Sequence, residues 1–155
     1  MRLANWMILP VLALSFSSCG QNKTDGNQET PVRRVIMLEN TSQRRPYSPA
    51  IEVDNTLYVS GQVAIDPETG NIVEGGIEAQ TRQTLENLKN IIEKAGYSMG
   101  NVVRCTVLLA GIEFYSDVNQ IYMEYFPVDP PARMAFAVKD LPLGALIEID
   151  AIAIK

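Results

Sequence analysis

Apolar and polar positions change period several times along this chain. Residues 32–38 are rich in β-formers, and residues 50–53 and 56–60 flank the turn pair Asp54-Asn55, which predicts a hairpin. A second turn falls at 66–71 (DPETGN). After Gly75-Gly76 the period becomes helical. Leu85, Leu88, Ile91, Ile92 and Ala95 recur on one side, Glu86, Lys89, Asn90, Glu93 and Lys94 lie between them, and Gly96 stands where a helix would stop. Residues 101–110 alternate again: Val103, Cys105, Val107 and Leu109 share one face, Arg104 and Thr106 the other. A second helix is expected over 114–126, with Phe114, Val118, Ile121, Tyr122 and Tyr125 as its apolar side and Pro127 beyond its end. Two strands, 132–138 and 146–154, finish the chain.

The order is β-β-β-α-β-α-β-β, an α+β pattern with a mixed sheet. Two amphipathic helices cover only one face of such a sheet, so the other must meet solvent or another subunit. Apolar residues on both faces of the last strands favour a subunit.

The first stretch does not belong to this pattern. Arg2 precedes an almost wholly apolar run, residues 6–16, which closes on Ser17, Ser18 and Cys19. That is the layout of a secretory signal, and the run is shorter than the roughly 20 residues of a membrane span. Small residues directly before a cysteine resemble a bacterial lipobox, which implies a signal peptide over 1–19, lipidation of Cys19 and a membrane-anchored protein of the cell envelope. Each acyl methylene buried in lipid contributes about 0.8 kcal/mol. Phe16 departs from the lipobox pattern, and the alternative is an ordinary signal with an incidental cysteine. Residues 20–31, polar and containing two glycines, read as a tether, leaving 32–155 as the folded domain.

Composition narrows the chemistry. Of 155 residues, 46% are hydrophobic, enough for one packed core. The net charge of −5, with no basic stripe, speaks against a nucleic-acid partner. Cys105 is the one cysteine after Cys19, so the domain has no internal disulfide; it sits among apolar residues and reads as a buried thiol. The chain contains no histidine, which removes the commonest general base, the Ser-His and Cys-His pairs and most zinc sites. No metal site is expected.

The last two strands offer an alternative set. Arg133, Ala135 and Ala137 share one face of the first, opposite Met134, Phe136 and Val138; in the second, Glu148 and Asp150 oppose Ile147, Ile149 and Ala151. Were the strands neighbours, an arginine and carboxylates could meet in one site. Arginine suits a substrate carboxylate because its fork binds both oxygens, and a glutamate can activate water. The same spacing also describes a surface salt bridge, with Asp150 solvated or structural. Tyr122 and Tyr125 read as core.

Longer segments carry a resemblance. Pro131-Ala132-Arg133, Leu141-Pro142 and 147–153 (IEIDAIA) resemble the C-terminal signature of the RidA (YjgF) family. Arg45-Pro46-Tyr47-Ser48-Pro49-Ala50 resembles its Gly-Pro-Tyr-Ser-Pro-Ala segment, Ser60-Gly61-Gln62 its Ser-Gly-Gln, and 80–88 and 118–122 its two helices. The resemblance implies a chorismate-mutase-like subunit assembled as a homotrimer, with sites between subunits. It implies cofactor-free hydrolysis of imines or enamines such as 2-iminopropanoate and 2-iminobutanoate to 2-oxo acids and ammonia. By match of motif, Arg133 holds the substrate carboxylate, Glu148 positions or activates water, Tyr47 packs at the cleft, and Ser60 and Gly61 line it. Three positions depart from the pattern: Arg45 in place of glycine, Ala135 where many deaminating members have cysteine, and Ala110-Gly111 in place of lysine-aspartate. A trimer that binds a small carboxylate without turning it over, or that serves as a scaffold, is the alternative of a different class.

Overall fold

The structure, a computed structural model, describes residues 30–38 and 46–155. The signal, Cys19, nearly all of the tether and Arg45 lie outside the described residues. The strands are β1 (Arg33–Ile36), β2 (Ala50–Val53), β3 (Thr56–Val63), β4 (Val102–Leu109), β5 (Ala132–Ala137) and β6 (Ile147–Ile154). The helices are α1 (Gly76–Lys94) and α2 (Tyr115–Tyr125). The expected element order holds throughout, and β3 runs three residues further than its alternation suggested.

One six-stranded sheet has the order β1-β2-β3-β6-β4-β5. All neighbours are antiparallel except β4 and β5, which run parallel and are joined through α2. The last strand thus enters the middle of the sheet, between β3 and β4.

Both helices pack on one face. Helix α1 buries Thr81, Thr84, Leu85, Leu88, Ile91 and Ile92, a stripe at helical spacing, against β3 and β6. It ends where Gly96 takes φ 84°, a left-handed conformation that glycine adopts without a Cβ clash. The Tyr97 N–H then donates to the Ile92 carbonyl and the Gly96 N–H to the Glu93 carbonyl, closing the last turn. Beneath the helices, Leu57, Val59, Cys105, Val107, Leu109, Ile147, Ile149, Ala151 and Ala153 supply the sheet's share of the core.

The strand alternation in β4 needs one correction. Val103, expected on the buried face, is 44% exposed, whereas Val102 is buried. The register between β4 and β6 slips between Val102 and Arg104, so a bulge at Val103 turns its side chain outward.

Among the described residues, no helix covers the opposite face. Tyr58, Met134, Phe136 and Ile154 stand on it with exposures of 43–49%. A broad apolar surface of this kind is unusual on an isolated soluble subunit.

Candidate functional site

Directly paired residues in a sheet share a face, so the register decides what can meet. Cys105 pairs with Arg133 on one side and Ala151 on the other. Cys105 and Ala151 are buried under the helices, and Arg133 lies on that face with them. Leu108 pairs with Phe136 and Glu148. Glu148 therefore occupies the open face. The sequence pattern allowed Arg133 and Glu148 to converge on neighbouring strands; in the fold β4 separates β5 from β6, and the two side chains project from opposite faces. They form neither a shared site within one subunit nor a salt bridge. The ion pairs among the described residues are Arg34–Glu52, Arg82–Glu124 and Lys89–Glu86.

Arg133 is held by α2. Tyr115, Asn119 and Tyr122 follow one another at i, i+4 and i+7 and so form one stripe of that helix. Nη2 of Arg133 donates to Asn119 Oδ1 at 2.5 Å and to the Tyr115 hydroxyl at 3.3 Å. The guanidinium carbon lies 4.6 Å from the Tyr122 ring centre and 5.5 Å from that of Tyr115. Such cation–π contacts stabilise and flatten the guanidinium against its support. Burial raises the Tyr122 hydroxyl far above its ordinary pKa and pushes the adjacent Cys105 thiol up to about 11, so both stay neutral. The expectation of a buried, inert Cys105 is met. Tyr122 is core, as its spacing suggested, but it is also the floor under Arg133; Tyr125 is half-buried and donates to Glu86. Asn119 and Tyr115 were missed as functional candidates. Their i, i+4 spacing was visible, but only the fold reveals that β5 lies beside α2.

Glu148 is placed by backbone. Between Val59 and Gln62 the β3–β6 register slips, and Gly61 sits in that irregular stretch. A Cβ on Gly61 would lie 2.0 Å from Glu148 Oε1, so the carboxyl group occupies the space a side chain there would need. Burial, and then the Asp150 carboxylate on the same strand face, hold Glu148 above the usual carboxylate range. Asp150 itself accepts the Thr106 N–H at 3.0 Å, a structural bond within the sheet.

Next to Gly61, the Ser60 hydroxyl donates to the Ser48 carbonyl at 2.7 Å and ties the segment after Pro46 to β3. Pro46, Tyr47, Ser48, Tyr58 and Ser60 line a cleft of about 390 Å³ that Arg33 and Ile51 extend. Tyr47 is 57% exposed at this cleft. Tyr47, Ser60, Gly61 and Glu148 thus fall in one region, and Arg133 falls in another.

Comparison with known proteins gives the family. The family model described as Endoribonuclease L-PSP matches residues 38–155. The chain belongs to this family, the RidA (YjgF) family of the sequence resemblance. It is 48% identical over 125 residues to a RutC family protein of Pyrococcus horikoshii, covering 80% of this chain and 99% of that one. It is 47% identical over 125 residues to the human 2-iminobutanoate/2-iminopropanoate deaminase, covering 80% of this chain and 91% of the relative. The crystal structure of the YjgF gene product from E. coli superposes with a TM-score of 0.73 at 35% identity, covering 79% of this chain and 98% of that one. In this RidA-family chain the segment bearing Arg133 and the strand bearing Glu148 both lie within the matched residues.

Proposed function

We propose that this RidA-family protein hydrolyses reactive 2-imino acids, of the 2-iminopropanoate and 2-iminobutanoate kind, to 2-oxo acids and ammonia. The observation that carries the reading is the pair of half-sites: an arginine mounted on tyrosine rings, and a glutamate of raised pKa lodged over a glycine. The name of the human relative supports the same activity.

The two half-sites project from opposite faces of one sheet, so a complete site requires two copies. The exposed apolar face gives the copies a reason to associate, and the closed arrangement we propose is a homotrimer. Arg133 of one subunit fixes the substrate carboxylate. Glu148 of the next holds a water against the imine carbon. Attack by water forms the C–O bond of a tetrahedral carbinolamine while Glu148 accepts the water's proton and passes it to the nitrogen; Glu148 then takes the remaining hydroxyl proton and delivers it to the same nitrogen as the carbonyl forms and the C–N bond breaks, releasing ammonia. With no histidine in the chain, the proton transfers fall to Glu148 and to the substrate nitrogen. Held above the usual carboxylate range by burial, Glu148 is better suited to give back a proton it has taken than an ordinary carboxylate would be. Tyr47 and Ser60 line the approach. No step calls for a cofactor.

The family's descriptive name mentions a ribonuclease. A net charge of −5 and the lack of histidine, the commonest base, speak against RNA cleavage, so imine hydrolysis is the better reading. The test is an imine-hydrolysis assay in which an amino-acid oxidase generates the substrate in place. Rapid appearance of 2-oxo acid supports deamination. Binding of 2-oxo acids without turnover of any imine would favour a non-catalytic carboxylate-binding trimer.

The proposed location is the cell envelope, through lipid on Cys19. Cys19→Ser should release the protein from membranes or block its processing; a fully soluble parent with an unmodified Cys19 removes the proposal.

A further inference from the structure

We infer that Tyr115 is a second carboxylate-binding residue, which donates its hydroxyl proton to the same carboxylate that Arg133 holds. The inference rests on the imine-deaminase reading of the Arg133 site and adds a group to it.

A carboxylate can be gripped at two points along only two edges: Nη1 with Nη2, or Nε with Nη2. Both edges include Nη2. Here Nη2 is the nitrogen already bound to α2, by one bond of 2.5 Å to Asn119 and one of 3.3 Å to Tyr115. Nη1 and Nε make no hydrogen bond among the described residues. A two-point grip on a carboxylate therefore competes with these acceptors at Nη2. The Tyr115 bond is the long one, and Tyr115 is 42% exposed, free to adjust at little cost.

Once the carboxylate oxygen replaces Tyr115 at Nη2, the phenol is left beside that oxygen. In the present arrangement the hydroxyl accepts from Arg133, so its own proton is not used on the guanidinium. Turned toward the carboxylate, it becomes a donor to an anion, a stronger bond than the one it gave up. Asn119 cannot make this exchange through Oδ1, which only accepts; its short bond instead fixes the guanidinium while Tyr115 moves.

The test compares the parent with Tyr115→Phe, which keeps the ring and removes only the hydroxyl. Binding of 2-oxobutanoate is measured by titration calorimetry, alongside imine turnover. Loss of one donor to an anion should weaken 2-oxobutanoate binding by roughly 5- to 30-fold and raise KM similarly, with kcat nearly unchanged. The neutral amide of the same 2-oxo acid should bind both proteins alike, which separates loss of this bond from general damage to the site. Equal or tighter binding of 2-oxobutanoate by Tyr115→Phe overturns the assignment, tighter binding meaning that Tyr115 merely competes for Nη2. A parent that neither binds 2-oxo acids nor turns over imines overturns the underlying reading and Tyr115 with it. A parent that does both, with Tyr115→Phe unchanged, overturns Tyr115 alone.

Discussion

Arg133 and Glu148 are held by opposite means. Arg133 sits at the sheet's edge strand, fixed by three side chains of α2 that reach it across the helix-covered face. Glu148 sits on a central strand and is fixed by a missing side chain, because the space it fills belongs to the absent Cβ of Gly61. One half-site is built by adding groups, the other by removing one. A long cation gains from aromatic and amide support that limits its many rotamers. A short carboxyl on a rigid strand needs only room, and the burial that comes with that room raises its pKa. Since Arg133 and Glu148 face away from each other, the proposed chemistry needs both sides of the sheet, supplied by two copies.

This contrast gives its largest expected effects at the two residues themselves. Arg133→Ala should nearly abolish imine turnover while leaving the fold intact, and Arg133→Lys should recover little because an ammonium lacks the fork. Glu148→Gln should retain 2-oxo-acid binding and lose about 10²–10⁴-fold in kcat. Mixing the two inactive variants by co-expression sharpens the comparison further. If each site draws Arg133 from one subunit and Glu148 from its neighbour, randomly mixed trimers should recover roughly a quarter of parental activity, since one interface in four pairs two intact halves. No recovery in verified mixed trimers would place both residues in the same subunit's site.

Gly61→Ala should act next most strongly. The added methyl would overlap Glu148 Oε1 at 2.0 Å, and the flexible end of the glutamate is what yields. The carboxyl should swing out of register with the water it holds, lowering kcat by about 10²-fold with only a small change in melting temperature. Unchanged kinetics would show that Glu148 acts from a position independent of Gly61. A large loss of stability would instead identify the glycine as a requirement of the β3 backbone.

The two half-sites also differ in how far the sequence disclosed them. Helix α1 was legible because Leu85, Leu88, Ile91 and Ile92 repeat at its period and Gly96 punctuates its end, both local signals. The strands were legible for the same reason, except at Val103, where a one-residue bulge breaks the period without leaving a mark in composition. The relation between Arg133 and Glu148 was not legible. Alternation assigns each residue to one of two faces of its own strand but cannot say which face of one strand matches which of another. That match depends on β6 entering between β3 and β4, a consequence of the whole chain's packing. Asn119 and Tyr115 escaped for the same reason, since their importance lies in the neighbour they touch. Glu148 was a candidate from strand alternation, Tyr47, Ser60 and Gly61 came from the family resemblance, and their proximity in the fold is consistent with the roles proposed for them.

The smallest expected effect concerns Asp150, whose charge acts on Glu148 from the same strand face. Glu148 is raised above its ordinary pKa by burial first and by the Asp150 carboxylate second. A carboxyl raised in the folded state binds its proton more tightly there than in the unfolded chain. It therefore adds stability at pH values below its unfolded pKa, and that contribution is lost as pH rises through the folded value. Catalysis needs the ionised form, so the acidic limb of kcat/KM should lie above the ordinary glutamate range. Asp150→Asn removes the repelling charge yet keeps an oxygen to accept the Thr106 N–H, so the sheet should be undisturbed. The acidic limb should then move to lower pH, by less than the full elevation because burial remains, and the Arg133 half-site should bind 2-oxo acids as before. A pH–rate profile of the two proteins decides the matter. A limb that stays in place would mean that the titration controlling the rate belongs to a group other than Glu148, and a limb that moves together with weaker 2-oxo-acid binding would mean that the charge of Asp150 reaches both half-sites of the assembled enzyme.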